Sequence, residues 1–473
     1  MHHTPLLRST LLGLVAGLCV LAGCRSDEAA GSSATSSLAA ASVSDWEREG
    51  DRAFRKLDHI VVIYLENRSF DNLYGEFAGA DGLGSPTASA NRQIDATGTP
   101  FATLPQVAGS PFPADLPNAP FGIEQYVPAN VPTIDLVHRF YQEQVQIDGG
   151  RMDKFALVSD AKGLVMGFYH TAPLPLAVEA QRYTLCDNFF HAAFGGSFLN
   201  HFWLVAAQTP TFPNAPAAVV AQLDAAGNLV RDGFVTPDGF AVNTAFTVNT
   251  PHPATVPADR LVPDQTFATI GDRLSEKRIS WAWYSGGWND ALAGHADPLF
   301  QFHHQPFAYF ANYADGTPAK AEHLKDETDF LAALQAGRLP AVSFVKPVGT
   351  NNEHPGYTDL ITGENHVKAL IDAVRASRAW RRTAIIITYD ENGGFWDHVA
   401  PPVADRWGPG SRVPTIVISP FARRGVVDHH RYDTTSILAL IEHRWGLAPL
   451  SARDAAADPL SGAFDFSEER GEN

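Results

Sequence analysis

Two stretches of the chain end an apolar run in groups suited to holding a cation. The first, "HIVVIYLENRSFDN" at residues 59–72, reads as a buried strand that stops at Glu66 and Asn67. The second, "TAIIITYDENGG" at residues 383–394, stops in the same way at Asp390 and Glu391. In an open parallel sheet, ligands bind beyond the carboxyl ends of the strands, where the loops diverge. If the two strands are neighbours, three carboxylates and an amide oxygen converge, and a cation relieves their repulsion. Each acidic pair taken alone also reads as a turn cap, with Arg68 neutralising one carboxylate. Two such ends in one domain favour the metal. Oxygen ligands point to Mg²⁺, Ca²⁺ or Mn²⁺, and a nearby histidine would admit Zn²⁺.

The third element is "FGGSFLNH" at residues 194–201. Gly195 and Gly196 permit a sharp turn, and Ser197 falls at the N-cap of the helix that follows. Such a turn usually does no more than cap. A phosphoryl group placed there would nevertheless meet free N–H groups and the positive end of the helix. Magnitudes separate the two contributions. A helix dipole is worth about 0.3–2 kcal/mol, whereas a cation can bring a bound water's pKa from about 15.7 to about 7, on the order of 12 kcal/mol. Ser197 is therefore a credible nucleophile only if Glu66, Asn67, Asp390 and Glu391 gather a cation beside it.

The elements that must position these groups alternate along the second half of the chain. "ISWAWYSG", "AVSFVKP", "TAIIITYD" and "VPTIVISP" read as strands; "ETDFLAALQAG", "ENHVKALIDAVRAS" and "TTSILALIEHRWG" read as helices. Alternation of this kind predicts an α/β fold, an αβα sandwich around a mostly parallel central sheet. Helical spacing is also expected over "TIDLVHRFYQEQVQ", and "YTLCDNFF" reads as a strand. Pro- and Gly-rich composition marks insertions near residues 79–132 and 209–263, the latter with a hairpin-like "GFAVNTAFTVNT". A single domain over residues 46–473 is the simplest organisation.

The N-terminus reads as a targeting signal. Arg8 precedes an apolar run at residues 11–23 that ends in "LAGC", which resembles a bacterial lipobox with Cys24 as the lipidated residue. Residues 1–24 are then a lipoprotein signal peptide and residues 25–45 a Ser/Ala/Gly-rich tether. The expected location is the bacterial cell envelope, lipid-anchored in a membrane, the outer one being favoured by Arg25. Formal charge is −17, and loss of residues 1–24, which hold one Arg and no acid, makes it −18. That balance disfavours nucleic acid as a partner. Only Cys186 would remain in the mature chain, so neither an intrachain disulfide nor a zinc–cysteine site is expected.

Together, "IVVIYLENRSFDNLYG", "GGSFLNH", "NNEHPG", "YDENGGFWDHVAPP", "RVPTIVISPFARRGVV" and "YDTTSILALIEHRWGL" resemble the bacterial phosphoesterase family of respiratory-burst-inhibiting acid phosphatases and phospholipases C. The resemblance spans about residues 55–450. It implies an alkaline-phosphatase-like fold, a divalent cation held by Glu66, Asn67, Ser197, Asp390 and Glu391, and Ser197 as nucleophile. It places His354 and His138 among the catalytic groups and His303, His304 and His398 near the substrate, with His398 read equally well as a partner of Asp397. Ser197 and Thr434 stand where the phospholipase branch carries Thr and His, which implies an acid phosphatase acting on small phosphomonoesters. The alternatives are a phospholipase C acting on phospholipid and a non-catalytic lipoprotein that binds a phosphorylated ligand.

Overall fold

The computed structural model describes residues 53–467. The leader, the tether and Cys24 lie outside the described residues. An eight-stranded sheet forms the centre. Its strands in chain order are β1 (His59–Leu65), β2 (Thr184–Cys186), β3 (Trp281–Ser285), β4 (Leu324–Asp326), β5 (Val342–Lys346), β6 (Thr383–Tyr389), β7 (Thr415–Ile418) and β8 (Val426–Asp428). They lie side by side in the order β8-β2-β7-β6-β1-β5-β3-β4. Seven run one way and β7 alone is reversed, pairing antiparallel with β6 and β2.

β1 and β6 occupy the middle, which explains their unbroken apolar runs. A central strand covered by helices on both faces has no solvent side, so both sets of alternating side chains must be apolar. Val61 through Leu65 and every residue of β6 are buried. The register fixes the site: Leu65 pairs with Tyr389, so Glu66 and Asp390 leave adjacent strands at the same level.

Five helices matter for the site: α1 (Phe70–Tyr74), α2 (Phe140–Ile147), α3 (Ser197–Ala206), α4 (Leu360–Ala376) and α5 (Thr435–Trp445). Two expectations fail in ways that bear on function. Helical structure in "TIDLVHRFYQEQVQ" starts only at Phe140, and the preceding residues are irregular. Residues 133–139 thereby carry Asp135 and His138 over the strand ends. The segment "GFAVNTAFTVNT" forms isolated bridges rather than a hairpin; the short ladder in that insertion pairs Gln222–Leu223 with Leu229–Arg231.

Behind the strand ends lies a pair of fully buried acids. Tyr389 donates to Glu353 Oε2 at 2.6 Å and the Leu176 N–H donates to Glu364 Oε2 at 2.5 Å. Among the described residues the other oxygen of each has no hydrogen-bond partner. Burial pushes Glu353 up to about 7, and burial with the adjacent Glu353 pushes Glu364 well above the usual carboxylate range. Both pKa values rise on folding. The stability tied to the protonated forms is thus full below the unfolded value of about 4.3 and falls as pH rises above it, for Glu353 being lost as pH climbs through about 7. Glu364→Gln is expected to match wild type at pH 5 and to be more stable at pH 8 by about 1–3 kcal/mol. Urea unfolding at the two pH values checks this; an equal shift at both would contradict it.

Candidate functional site

The nucleophile turn departs from the expected cap. Gly196 is the N-cap of α3, and Ser197 is the first helical residue. Its Oγ is therefore not used to hold the helix and instead donates to Asn67 Oδ1 at 3.3 Å. The turn requires glycine at position 195, which has φ +86° and where a Cβ would lie 2.4 Å from the Phe140 nitrogen. That close approach carries Ser197 up to the 133–139 segment. Asn67 is itself left-handed, at φ 66°, a conformation asparagine tolerates better than most residues. The Asn67 N–H points at Asp390 Oδ1, 3.4 Å away, and Gly393 packs where a Cβ would lie 2.3 Å from the Asn67 carbonyl oxygen.

His138 orients the Asn67 amide. The Leu136 carbonyl lies 2.5 Å from His138 Nδ1, so that nitrogen carries the proton. Nε2 then accepts from Asn67 Nδ2 at 3.3 Å. The amide nitrogen faces His138, which leaves Oδ1 toward Ser197. His354 has the same tautomer, its Nδ1 donating to the Pro355 carbonyl at 2.5 Å. The ring stacks on Tyr357 with centroids 3.8 Å apart, and its Nε2 lies 3.7 Å from Glu66 Oε2.

Glu66, Asp390 and Glu391 are all buried. Among the described residues, Glu66 Oε2, Asp390 Oδ2 and Glu391 Oε1 have no hydrogen-bond partner, whereas Glu66 Oε1 meets Lys346 at 2.7 Å and His304 at 2.5 Å. Buried charged oxygens are almost always satisfied in folded proteins, because leaving one unpaired costs several kcal/mol. Burial pushes Asp390 up to about 7, and burial together with Asp390 pushes Glu391 well above the usual range. Burial alone would raise Glu66 too, but His304 and Lys346 outweigh it and hold that carboxyl well below the usual range. A row of orphaned carboxylate oxygens beside an amide and a hydroxyl oxygen is what a hard divalent cation requires. The donor set fits a metal; its identity is open.

Above this floor opens a cleft of about 370 Å³ lined by Glu66, Asp135, His138, Ser197, His303 and His354, among others. Of the expected groups, the structure therefore brings Glu66, Asn67, Ser197, Asp390, Glu391, His138, His303 and His354 to one place. His304 sits behind rather than in the cleft: it is buried and its Nε2 lies 2.5 Å from Glu66 Oε1. His398 is a correction. Its ring is clamped between Asp71 (2.7 Å) and Asp81 (3.1 Å), while Asp397, its expected partner, pairs with Arg412 at 2.8 Å. That network is saturated and leaves His398 nothing with which to meet a substrate.

Two residues of the centre escape sequence reading. Lys346 ends β5 fully buried, 2.7 Å from Glu66 Oε1 and 3.6 Å from Asp390 Oδ2. A lysine closing the apolar strand "AVSFVKP" was the available signal. His201, one helical turn after Ser197, faces the same way as that residue, and its Nδ1 meets the Ser197 carbonyl at 2.7 Å.

Carboxylates, histidines and a free hydroxyl gathered at parallel strand ends define a hydrolytic centre. The chain belongs to the phosphoesterase family, whose profile matches residues 57–448. It is 27% identical to phospholipase C A of Mycobacterium tuberculosis over 457 residues, covering 87% of this chain and 78% of that one. It is 26% identical to the non-hemolytic phospholipase C of Pseudomonas aeruginosa, again over 87% of this chain and 58% of the other. Among solved structures, a protein in the alkaline phosphatase superfamily from Vibrio parahaemolyticus is similar over 63% of this chain and 65% of its own, at 11% identity and a TM-score of 0.35. The chain is a phosphoric ester hydrolase. These relatives are named phospholipases C, so the monoesterase specificity expected from Ser197 and Thr434 gains no support from them. Thr434 Oγ1 is buried and accepts the Ala192 N–H at 3.1 Å.

Proposed function

We propose that the chain is a metal-dependent phospholipase C, which cleaves the ester between diacylglycerol and a phosphorylated headgroup with Ser197 as nucleophile. The observation that carries this reading is the cleft floor, where the Ser197 hydroxyl, 3.3 Å from Asn67 Oδ1, borders buried carboxylates of which Asp390 Oδ2 and Glu391 Oε1 have no hydrogen-bond partner among the described residues. Glu66, Asn67, Ser197, Asp390 and Glu391 would hold the cation, which supplies a lowered hydroxyl pKa and offsets charge on the phosphoryl oxygens. Ser197 Oγ attacks phosphorus in line, and the bond from phosphorus to the glycerol oxygen breaks. His354, whose Nδ1 donates to the Pro355 carbonyl, takes the Ser197 hydroxyl proton on Nε2 and passes it to the departing oxygen. His138 keeps the Asn67 amide turned so that Oδ1 stays on the Ser197 side. Water then loses a proton to His354 Nε2 and attacks phosphorus, the bond from phosphorus to Ser197 Oγ breaks, and Oγ leaves with that proton as the phosphorylated headgroup is released.

The relatives' names support a lipid substrate, and so does the mouth of the cleft. Asp135 and Asp160 line it together with Tyr357. Carboxylates beside an aromatic face suit a cationic headgroup such as choline or ethanolamine. A chain of formal charge −17 also repels a monoester dianion more than a zwitterionic phospholipid.

A second reading, an acid phosphatase, is favoured by the serine rather than threonine at position 197. The two separate on paired substrates, p-nitrophenyl phosphorylcholine against p-nitrophenyl phosphate, with phosphatidylcholine vesicles alongside. The diester is expected to exceed the monoester in kcat/KM by about tenfold or more, the discrimination about 1.4 kcal/mol provides. The reverse ratio, with no diacylglycerol released from vesicles, would replace the phospholipase by the monoesterase.

A further inference from the structure

Asn200 stands on the first turn of α3, three residues after Ser197, and is fully buried. Its side chain turns back onto the loop that carries the nucleophile. Oδ1 accepts the Ala193 N–H at 2.9 Å. Nδ2 faces the carbonyls of Ala193 at 2.9 Å, Gly195 at 3.2 Å and Gly196 at 3.3 Å. A donor on one side and three carbonyls on the other leave a single orientation for the amide.

Helix starts are ordinarily held the other way round. A capping side chain accepts N–H groups of the first turn and so uses them up. Here a helix side chain takes the carbonyls that precede α3, and Gly196 at the cap has no side chain to offer. The other donors of the loop are spent inside the protein. The Ala192 N–H goes to Thr434 Oγ1 at 3.1 Å, that of Phe194 to the Trp407 carbonyl at 2.7 Å and that of Gly195 to Glu143 Oε2 at 2.5 Å. From Ala192 to Ser197, only the N–H groups of Gly196 and Ser197 meet no acceptor among the described residues.

Peptide planarity gives these two donors a direction. In a trans peptide the C=O and N–H bonds point opposite ways. Drawing the Gly195 and Gly196 carbonyls onto Asn200 therefore turns the Gly196 and Ser197 N–H groups away from it. Asn200 lies in the interior, whereas Gly196 and Ser197 line the cleft. Both donors face the space that a phosphoryl group fills beside Ser197 Oγ.

We propose that Asn200 is a positioning residue for phosphoryl transfer: by holding the loop carbonyls it aims the Gly196 and Ser197 N–H groups at a non-bridging phosphoryl oxygen and fixes Ser197 Oγ for attack. Asn200 itself touches neither substrate nor reacting atoms. Donors fixed in advance need no reorganisation as charge builds on the phosphoryl oxygens, and losing one such donor typically lowers kcat by about 10²–10³. The inference rests on the reading of Ser197 as the nucleophile.

The test is kinetics of Asn200→Ala in the whole chain, on p-nitrophenyl phosphorylcholine and on its two phosphorothioate diastereomers. Sulfur, a poor hydrogen-bond acceptor, there replaces one non-bridging oxygen. A variant that folds and takes up Mn²⁺ as wild type does is expected to lose about 100-fold in kcat, with KM within about threefold. The wild-type preference for oxygen over sulfur in one diastereomer is expected to shrink at least about fivefold, since the donors that favour oxygen are no longer aimed. A merely structural loss of active protein lowers both rates alike. An unchanged preference, or a kcat within about threefold of wild type, therefore overturns the inference. If Asn200→Ala does not fold, Asn200→Asp decides by the same two ratios, because it keeps the shape and the Ala193 N–H bond but presents an acceptor to the carbonyls. A chain that folds with neither residue makes Asn200 structural and overturns the inference. If the monoester is the preferred substrate, p-nitrophenyl phosphate and its phosphorothioate serve in the same way. Full turnover in Ser197→Ala would instead remove the nucleophile reading.

Discussion

Ser197→Ala is expected to lower kcat by a factor of about 10⁴–10⁶, the range for removing a nucleophile that acts with its activating groups as a unit. The same substitution should barely touch the fold. Gly196 caps α3, so the Ser197 hydroxyl supports no helix end, and the loss of one 3.3 Å hydrogen bond to Asn67 is worth about 1 kcal/mol. The pairing of a catalytic collapse with a near-normal melting curve separates this role from a structural one. Steady-state kinetics and thermal unfolding on one preparation measure both. Turnover within tenfold of wild type would remove Ser197 as nucleophile.

The second large effect is expected at Asp390, with opposite signs for function and for metal-free stability. Asp390 is fully buried and pushed up to about 7 by that burial. Asp390→Asn removes one of three buried carboxylates that share a single Lys346 ammonium, so the metal-stripped variant should unfold at higher denaturant than stripped wild type. Added divalent cation reverses the order. Wild type gains about 2.7 kcal/mol at a cation concentration 100 times its Kd, while the variant, with a ligand lost, should bind at least 100-fold more weakly and gain little. Catalysis should fall with affinity. Urea titrations with and without Mn²⁺ check the crossover; a variant less stable than wild type in both conditions would mark Asp390 as structural.

The frame of this centre was legible because two of its segments are strands with no polar side. A buried central strand must be apolar throughout, so the first polar residue after it marks the strand end, and Glu66 and Asp390 stand there. Their level register follows from parallel pairing of β1 with β6. The reversal of β7 was not legible, since "VPTIVISP" is as apolar as its parallel neighbours and direction depends on the connecting loop. Spacing alone puts Ser197 at the cap, whereas Gly196 takes it, a shift of one position that sequence does not resolve.

Histidine roles were harder for a physical reason. An imidazole takes its function from what holds its second nitrogen, and those partners come from remote segments. His398 looked like a neighbour's partner to Asp397, but Arg412 claims Asp397 and leaves the ring to Asp71 and Asp81. His304 follows His303 directly, yet one ring lines the cleft while the other backs Glu66. Asp135 and His138 reach the site because residues 133–139 stay out of a helix that their spacing favours. Sequence does not single out Lys346, because a single lysine at a strand end most often reaches solvent and only the sheet order shows that it is enclosed.

The central claim is that side-chain oxygens from three distant segments share one cation. Anomalous diffraction from crystals of the chain soaked in Mn²⁺ measures this directly. A single strong peak between the side-chain oxygens of Asn67, Ser197, Asp390 and Glu391, within reach of Glu66 Oε2, is the predicted result. A peak at the Asp71, Asp397 and His398 cluster instead, or density for Mn²⁺ only on the exposed surface, would contradict it.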